Sequence, residues 1–216
     1  MLTSIAFILI TIISVFLFYL ATDRSKLVLV FFPIWGGIVA ILSYVGFYKN
    51  LNVFPPRFLL ILIPVTLYVI YFYRKIDIPP TKIPYLLAIH GLRLPVELVL
   101  YSLFTMGQAP IVMTFSGWNY DILVGITALL LLGYTLATKK QFQRQFFLIW
   151  NVLGILFLTT IVSIAVLSIP LPIQQFGFKQ PNMAVISYPY ALLPAIVVPI
   201  VLLSHLYSLK MLSHLK

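Results

Sequence analysis

No cysteine occurs in the 216 residues, and only four side chains are acidic. The first absence excludes disulfide scaffolds and thiolate metal centres. The second belongs to a wider poverty of charge: 8% of residues are charged, against about 25% in an ordinary soluble domain. So few charges cannot cover the surface of a water-soluble monomer of this size. Disorder is excluded from the other direction, because 62% of the chain is apolar and its mean hydropathy is +1.10. The glycine patterns of nucleotide-binding loops and the G-x-S-x-G elbow of serine hydrolases are also missing. What remains is long apolar runs, and these make the chain an integral membrane protein of one domain, residues 1–216.

A hydrocarbon core about 30 Å thick needs about 20 apolar residues in helix. Seven stretches qualify, at about 3–21, 27–48, 58–73, 84–106, 121–137, 146–168 and 188–209. Polar or helix-breaking clusters separate them, among them Asp23-Arg24-Ser25-Lys26, Pro55-Pro56-Arg57, Pro79-Pro80 and Lys139-Lys140. The runs are continuous rather than alternating, which favours helices over barrel strands. The expected fold is all-α, a seven-transmembrane-helix bundle. The first run has no basic segment before it and no small-residue cleavage site after it, so it reads as a retained helix.

Orientation follows from Lys and Arg in the loops. Ten fall on one side: Arg24, Lys26, Arg74, Lys75, Lys82, Lys139, Lys140, Arg144, Lys210 and Lys216. Three fall on the other, Lys49, Arg57 and Lys179. The bias places the N-terminus outside and the C-terminus in the cytoplasm. It also gives the net charge of +10 a partner, the anionic headgroups of an inner leaflet, and makes nucleic acid unnecessary. No internal repeat is visible, so an inverted-repeat transporter is not supported.

The remaining cation is Arg93, inside the fourth run with His90 and Glu97. Offsets of three, seven and eleven residues put His90, Arg93, Glu97 and Tyr101 on one helical face. An isolated charge at that depth costs at least about 2.5–3.5 kcal/mol. Arg93 and Glu97 are four apart, in the less favourable order for a helical ion pair, so partners from other helices are expected. Pro95 deprives the Gly91 carbonyl of its helical donor. A helix-locking ion pair would explain this stripe, and so would a buried site for ligands or protons. Asn151 and His205 lie at a depth similar to His90, toward the cytoplasm, and are candidate ligand-binding residues with Arg93, Glu97, His90 and Tyr101. For Asn151 alone an interhelical hydrogen bond is the ordinary role.

Two outer loops are unusual. One carries Asn119 and Asp121, where capping of the fifth helix competes with a site role. The other holds Gln174, Gln175, Gln180 and Asn182 among aromatics and prolines. An interfacial belt explains the aromatics but not four amides. These six residues are a candidate gate over a cavity floored by Arg93 and Glu97. Five prolines, at 33, 64, 95, 194 and 199, fall within the runs, where static kinks are their usual effect. No metal site is expected: His90 and Glu97 are two turns apart, about 10 Å along the axis, too far to hold one ion. No cofactor is expected either; the seventh run lacks the lysine of a retinal Schiff base.

The runs His90-Gly91-Leu92-Arg93-Leu94-Pro95-Val96-Glu97, Met113 to Leu123, and Gln174-Gln175-Phe176 with Gln180-Pro181-Asn182 resemble those of a group of small uncharacterised multi-pass bacterial proteins. The resemblance covers the second half of the chain. It implies a bacterial inner (plasma) membrane and carries no activity and no functional residues.

Three functions remain open. The first is transport or binding of a small polar, anionic or amphipathic ligand, with Arg93 holding it and Glu97 and His90 exchanging protons. The second is an intramembrane enzyme on a lipid or isoprenoid-like substrate, with Glu97, His90 or Asp121 as acid or base. The third is a structural or assembly subunit. An enzyme requires a cavity open sideways at the depth of Glu97, a transporter a path to both faces, and a subunit an outward-pointing stripe.

Overall fold

The architecture is that of a computed structural model, which describes residues 1–140 and 142–214, without the side chains of Ser213 and His214. Lys216, counted above among the inner cations, lies outside the described residues. Helices α1 (Leu2–Ala21), α2 (Lys26–Tyr44), α3 (Leu59–Lys75), α4 (Ile83–Gly91), α5 (Arg93–Thr105), α6 (Asp121–Thr138), α7 (Arg144–Leu167) and α8 (Val198–His214) follow in order. Strands are absent among the described residues. With α4 and α5 counted as one broken helix, there are seven helices, and six of them are long and apolar enough to cross a membrane. The seventh, α3, has 17 residues.

The broken helix and α8 are the most buried parts of the bundle. α4 packs on α1, α6 and α8, and α8 packs on α3, α4 and α7. α1, α2, α6 and α7 keep long rows of apolar side chains outward, including Ile12, Phe16, Ile41, Leu130, Leu136 and Leu156. A helix that is apolar all round fits an apolar solvent. Phe18, Phe32, Phe72 and Tyr207 fill one end of the core, and the Tyr207 hydroxyl donates to the Phe72 carbonyl at 2.7 Å. Ion pairs tie the loops at that end: Lys82 to Asp23 at 3.1 Å and Lys210 to Asp77 at 2.5 Å. At the other end Ser4 meets the Tyr190 hydroxyl at 3.1 Å, and Gln180 donates to the carbonyls of Phe104 and Ala109 at 2.7 and 2.6 Å.

Two of the expected runs differ in outline. The fourth, expected as one span over 84–106, is broken at Leu92. Pro95 is the cause, since it offers no N–H to Gly91 and its ring crowds that carbonyl. The seventh, expected from 188, turns regular only with a π-helical segment at Leu193–Val197 that feeds α8. Pro194 stands second in its segment, where a missing N–H costs nothing; Pro199 falls within the continuous helical run, and the Ala195 carbonyl it leaves without a helical donor accepts from Trp35 Nε1 and the Tyr68 hydroxyl at 3.1 and 2.8 Å. The polypeptide ahead of them instead forms a short 3-10 turn, Ala184–Ile186, and an irregular link.

Candidate functional site

The break in the fourth helix sets the site. It turns His90 into the last turn of α4 and makes Arg93 the first residue of α5. Arg93 and Glu97 are sealed from the surface, at 3% and 2% exposure, and His90, Asn119, Asp121, Asn151 and His205 are buried with them. The stripe faces inward for three of its four members. Tyr101 leaves it: its ring stacks on Phe115 at 4.9 Å and it is partly exposed.

Arg93 is held from three sides. Its Nε lies 3.2 Å from Asp121 Oδ2, an ion pair without the alignment of a hydrogen bond. Its Nη2 donates to the Gly154 carbonyl at 3.3 Å, and its Nη1 lies 3.2 Å from His205 Nε2. The protonation of His205 follows from its partners. Asn151 Nδ2 donates to the Phe147 carbonyl at 2.8 Å, which leaves Oδ1 facing His205 Nδ1 at 2.9 Å. Nδ1 must therefore carry the proton, and Nε2 is the acceptor for Arg93. His205 is a neutral spacer between an amide and a guanidinium.

The other half of the cluster joins Glu97 to Asp121. Asn119 Nδ2 donates to Glu97 Oε1 at 2.5 Å and to the Met113 carbonyl at 3.0 Å, while its Oδ1 accepts from the Asp121 N–H at 3.0 Å. Arg93 and Glu97 do not bond to each other directly; each finds its partner on another segment, as their unfavourable order in one helix suggests. Glu97 Oε2, Asp121 Oδ1 and both nitrogens of His90 have no hydrogen-bond partner. Asn119→Ala removes the donor to Glu97 and the turn bond to Asp121 together. We expect it to cost about 1–3 kcal/mol for the buried acceptor left bare, measured as a lowered melting temperature of the detergent-purified protein.

Residues 50–213 match the family model described as "Domain of unknown function (DUF8737)". The chain belongs to that family. The matched region includes every member of the cluster. Among curated proteins nothing matches, and no solved structure matches either. In this DUF8737 chain the cluster draws on α4, α5, α7 and α8, the first residue of α6 and the loop before it.

The outer amides form a different arrangement. Gln174 Nε2 donates to the Phe176 carbonyl, Gln180 bridges Phe104 and Ala109, and Asn182 donates to the Ala165 carbonyl. Gln175 contributes a backbone bond to the Leu167 carbonyl. These bonds fasten the loops to the ends of α5 and α7, and none reaches the Arg93 cluster. The described cavities also lie apart from it. One of about 260 Å³ opens between α3, α7 and α8, lined by Leu62, Leu158, Val162, Pro194, Pro199 and Leu202 among others. Another of about 400 Å³, near Lys49, Gln108, Met183 and Tyr190, sits at the loop end. Neither borders Arg93, whose charge is turned onto protein acceptors. Among the described residues no group of three metal-ligating side chains forms.

Several contributors escaped the sequence reading. The Gly154 carbonyl is one, since a backbone acceptor leaves no compositional trace. Trp150 is another: its ring meets His90 at 5.3 Å and His205 at 5.6 Å, and its Nε1 donates to Thr127 at 3.0 Å. The spacing Asn119-x-Asp121, which allows a side chain to accept from the backbone two residues on, was the available signal for the Asn119 turn.

Proposed function

We propose that this chain is a proton-translocating membrane transporter of seven spans, a single integral membrane domain, and that its structure is a closed state in which Glu97 and Asp121 hold the exchangeable proton. The observation that carries the reading is one of charge. Two sealed carboxylates face one guanidinium, and each keeps an oxygen without a donor. With both ionised the cluster is left with a net negative charge in surroundings that penalise it heavily. One proton restores neutrality and supplies the missing donor. Direct capture of an anionic ligand by Arg93 has less support, because Asp121, His205 and the Gly154 carbonyl already occupy it.

The other readings have weaker footing. The groove between α3, α7 and α8 carries no ionisable side chain, as a lipid-processing enzyme would need. The inward-facing stripe does not suit a subunit that binds through it. Seven crossings have support in the loop contacts: Asp23 meets Lys82 and Asp77 meets Lys210 at one end, as expected if α3 traverses the bundle with its neighbours. The resemblance to small bacterial inner-membrane proteins supports a plasma membrane, with the basic end toward its anionic inner leaflet.

The orientation is open to a direct test, because the chain has no cysteine of its own. In intact cells an impermeant maleimide should label Gln175→Cys and should reach Lys140→Cys only after lysis; the reverse pattern inverts the proposed topology. The function is tested in proteoliposomes that enclose a pH-sensitive dye. A potassium diffusion potential should draw protons in faster than in protein-free vesicles, and Glu97→Gln should return the rate to the protein-free level. Wild-type vesicles no faster than empty ones, or a fully active Glu97→Gln, would defeat the reading.

A further inference from the structure

His90 takes no part in the hydrogen bonding of the cluster beside it. It is completely buried at the end of α4, and neither ring nitrogen has a partner. Its ring lies against that of His205, centroids 3.9 Å apart at 32°, with Trp150 edge-on. A neutral imidazole has one donor and one acceptor to satisfy, and an imidazolium has two donors. Sealed polar groups with no partner are rare enough to require a reason.

Few charged groups face His90. Arg93 follows it by three residues, at the head of α5, and His205 of α8 lies under its ring. α7 brings Trp150, and α1 carries no acidic or basic side chain. α6 carries Asp121 at its first turn, already paired to Arg93, and Tyr134 far along its length. His90 and Glu97 thus flank Arg93 along the broken helix, one turn before and one turn after it. In the topology proposed above, His90 lies on the cytoplasmic side of Arg93 and Glu97 on the outer side.

Charge counting then allows two neutral arrangements. In one, a proton sits on the Glu97 and Asp121 carboxyls and His90 is neutral. In the other, both carboxylates are ionised and His90 is an imidazolium. Loading both places leaves a net positive charge beside Arg93, and emptying both leaves a net negative one. Each is costly where water is excluded. We propose that a single proton alternates between the carboxyl pair on the outer side of Arg93 and the His90 imidazole on its inner side, so that His90 is the inner station of the transport cycle. The step breaks a carboxylic O–H bond and forms an imidazole N–H bond, with no electrons exchanged, and it requires water to enter the sealed cluster as the relay. Arg93 enforces one proton at a time without binding it. This rests on the proton-translocating reading, and to the expected exchange between Glu97 and His90 it adds the inner position of His90 and the exclusive occupancy.

The test uses the full chain in liposomes. It has three histidines, so the spectrum of ¹⁵N-histidine-labelled protein is assignable by single substitution, while the infrared carbonyl band reports protonated carboxyl groups. We expect the His90 imidazolium signal and the carboxyl band to vary inversely as pH changes. His90→Phe should keep the proton in the carboxyl band and slow proton entry about a hundredfold. His90→Gln, polar and easier to accommodate, should do the same with a wild-type melting temperature. Asp121→Asn should remove the balancing proton, and with it both signals. The proposal is overturned if His90 remains neutral while the carboxyl band comes and goes, or if His90→Gln conserves the wild-type rate. That last result beside an inactive Glu97→Gln overturns the role of His90 alone. An active Glu97→Gln overturns the function beneath it.

Discussion

Arg93→Met should insert into the membrane at least as readily as the wild type and yet fail to fold stably. The two effects have opposite signs because they answer to different reference states. Insertion of a single helix charges about 2.5–3.5 kcal/mol for an arginine near its centre, and methionine removes that cost. The folded bundle loses more. Asp121 loses its counter-charge, and the Gly154 carbonyl and His205 Nε2 are left without their donor in a sealed interior. Removing one partner of a buried ion pair costs about 3–5 kcal/mol, mostly for the uncompensated charge left behind. The melting temperature in detergent should therefore drop severely, or the protein should aggregate, while the membrane-integrated fraction holds. Arg93→Met with Asp121→Asn tests the cause. Neutralising the orphaned partner should recover a large part of the loss, a positive coupling in a double-mutant cycle. A double variant that suffers the plain sum of the two single losses would mean that packing, and not the pair, accounts for the cost.

The membrane character and most helix positions were legible because they depend on composition and run length alone. An apolar run of twenty residues in lipid has one way to satisfy its backbone, which is to form a helix. Boundaries that proline governs were less legible. Pro95 signalled a stressed carbonyl at Gly91, yet whether a helix bends or breaks there depends on what packs around it. In this bundle His90 stacks against His205 and Arg93 turns toward Asp121, contacts that suit a break. The buried polar cluster was half visible. A charge deep in an apolar run is conspicuous, so Arg93 and Glu97 stood out, and depth alone grouped His90, Asn151 and His205. Pairing was not visible, because it depends on how far α6 and α7 are rotated about their axes. Asn119 and Asp121 were expected with the outer-loop gate, and sequence did not reveal that their side chains meet Glu97 and Arg93. Gln180 and Asn182 look the same in sequence and fasten loops.

Gly154→Ala should be among the most damaging small substitutions in the chain, although helix propensity predicts the contrary. In a helix interior alanine is favoured over glycine by about 1 kcal/mol. At position 154 a Cβ would stand 2.5 Å from His205 Nε2 and 3.3 Å from Nδ1. The ring has nowhere to retreat: Asn151 holds Nδ1, Arg93 holds Nε2, and His90 covers its face at 3.9 Å. Moving it breaks both hydrogen bonds and unseats the guanidinium, which also uses the carbonyl of Gly154 itself. Overpacking and the lost bonds together should cost roughly 2–4 kcal/mol. Gly133→Ala in α6 is the internal control, because a Cβ there meets nothing within 4 Å; it should leave the melting temperature unchanged or slightly raised. If the two variants melt alike, the imidazole is free to move, and the rigid chain of contacts from Asn151 through His205 to Arg93 does not hold the site together.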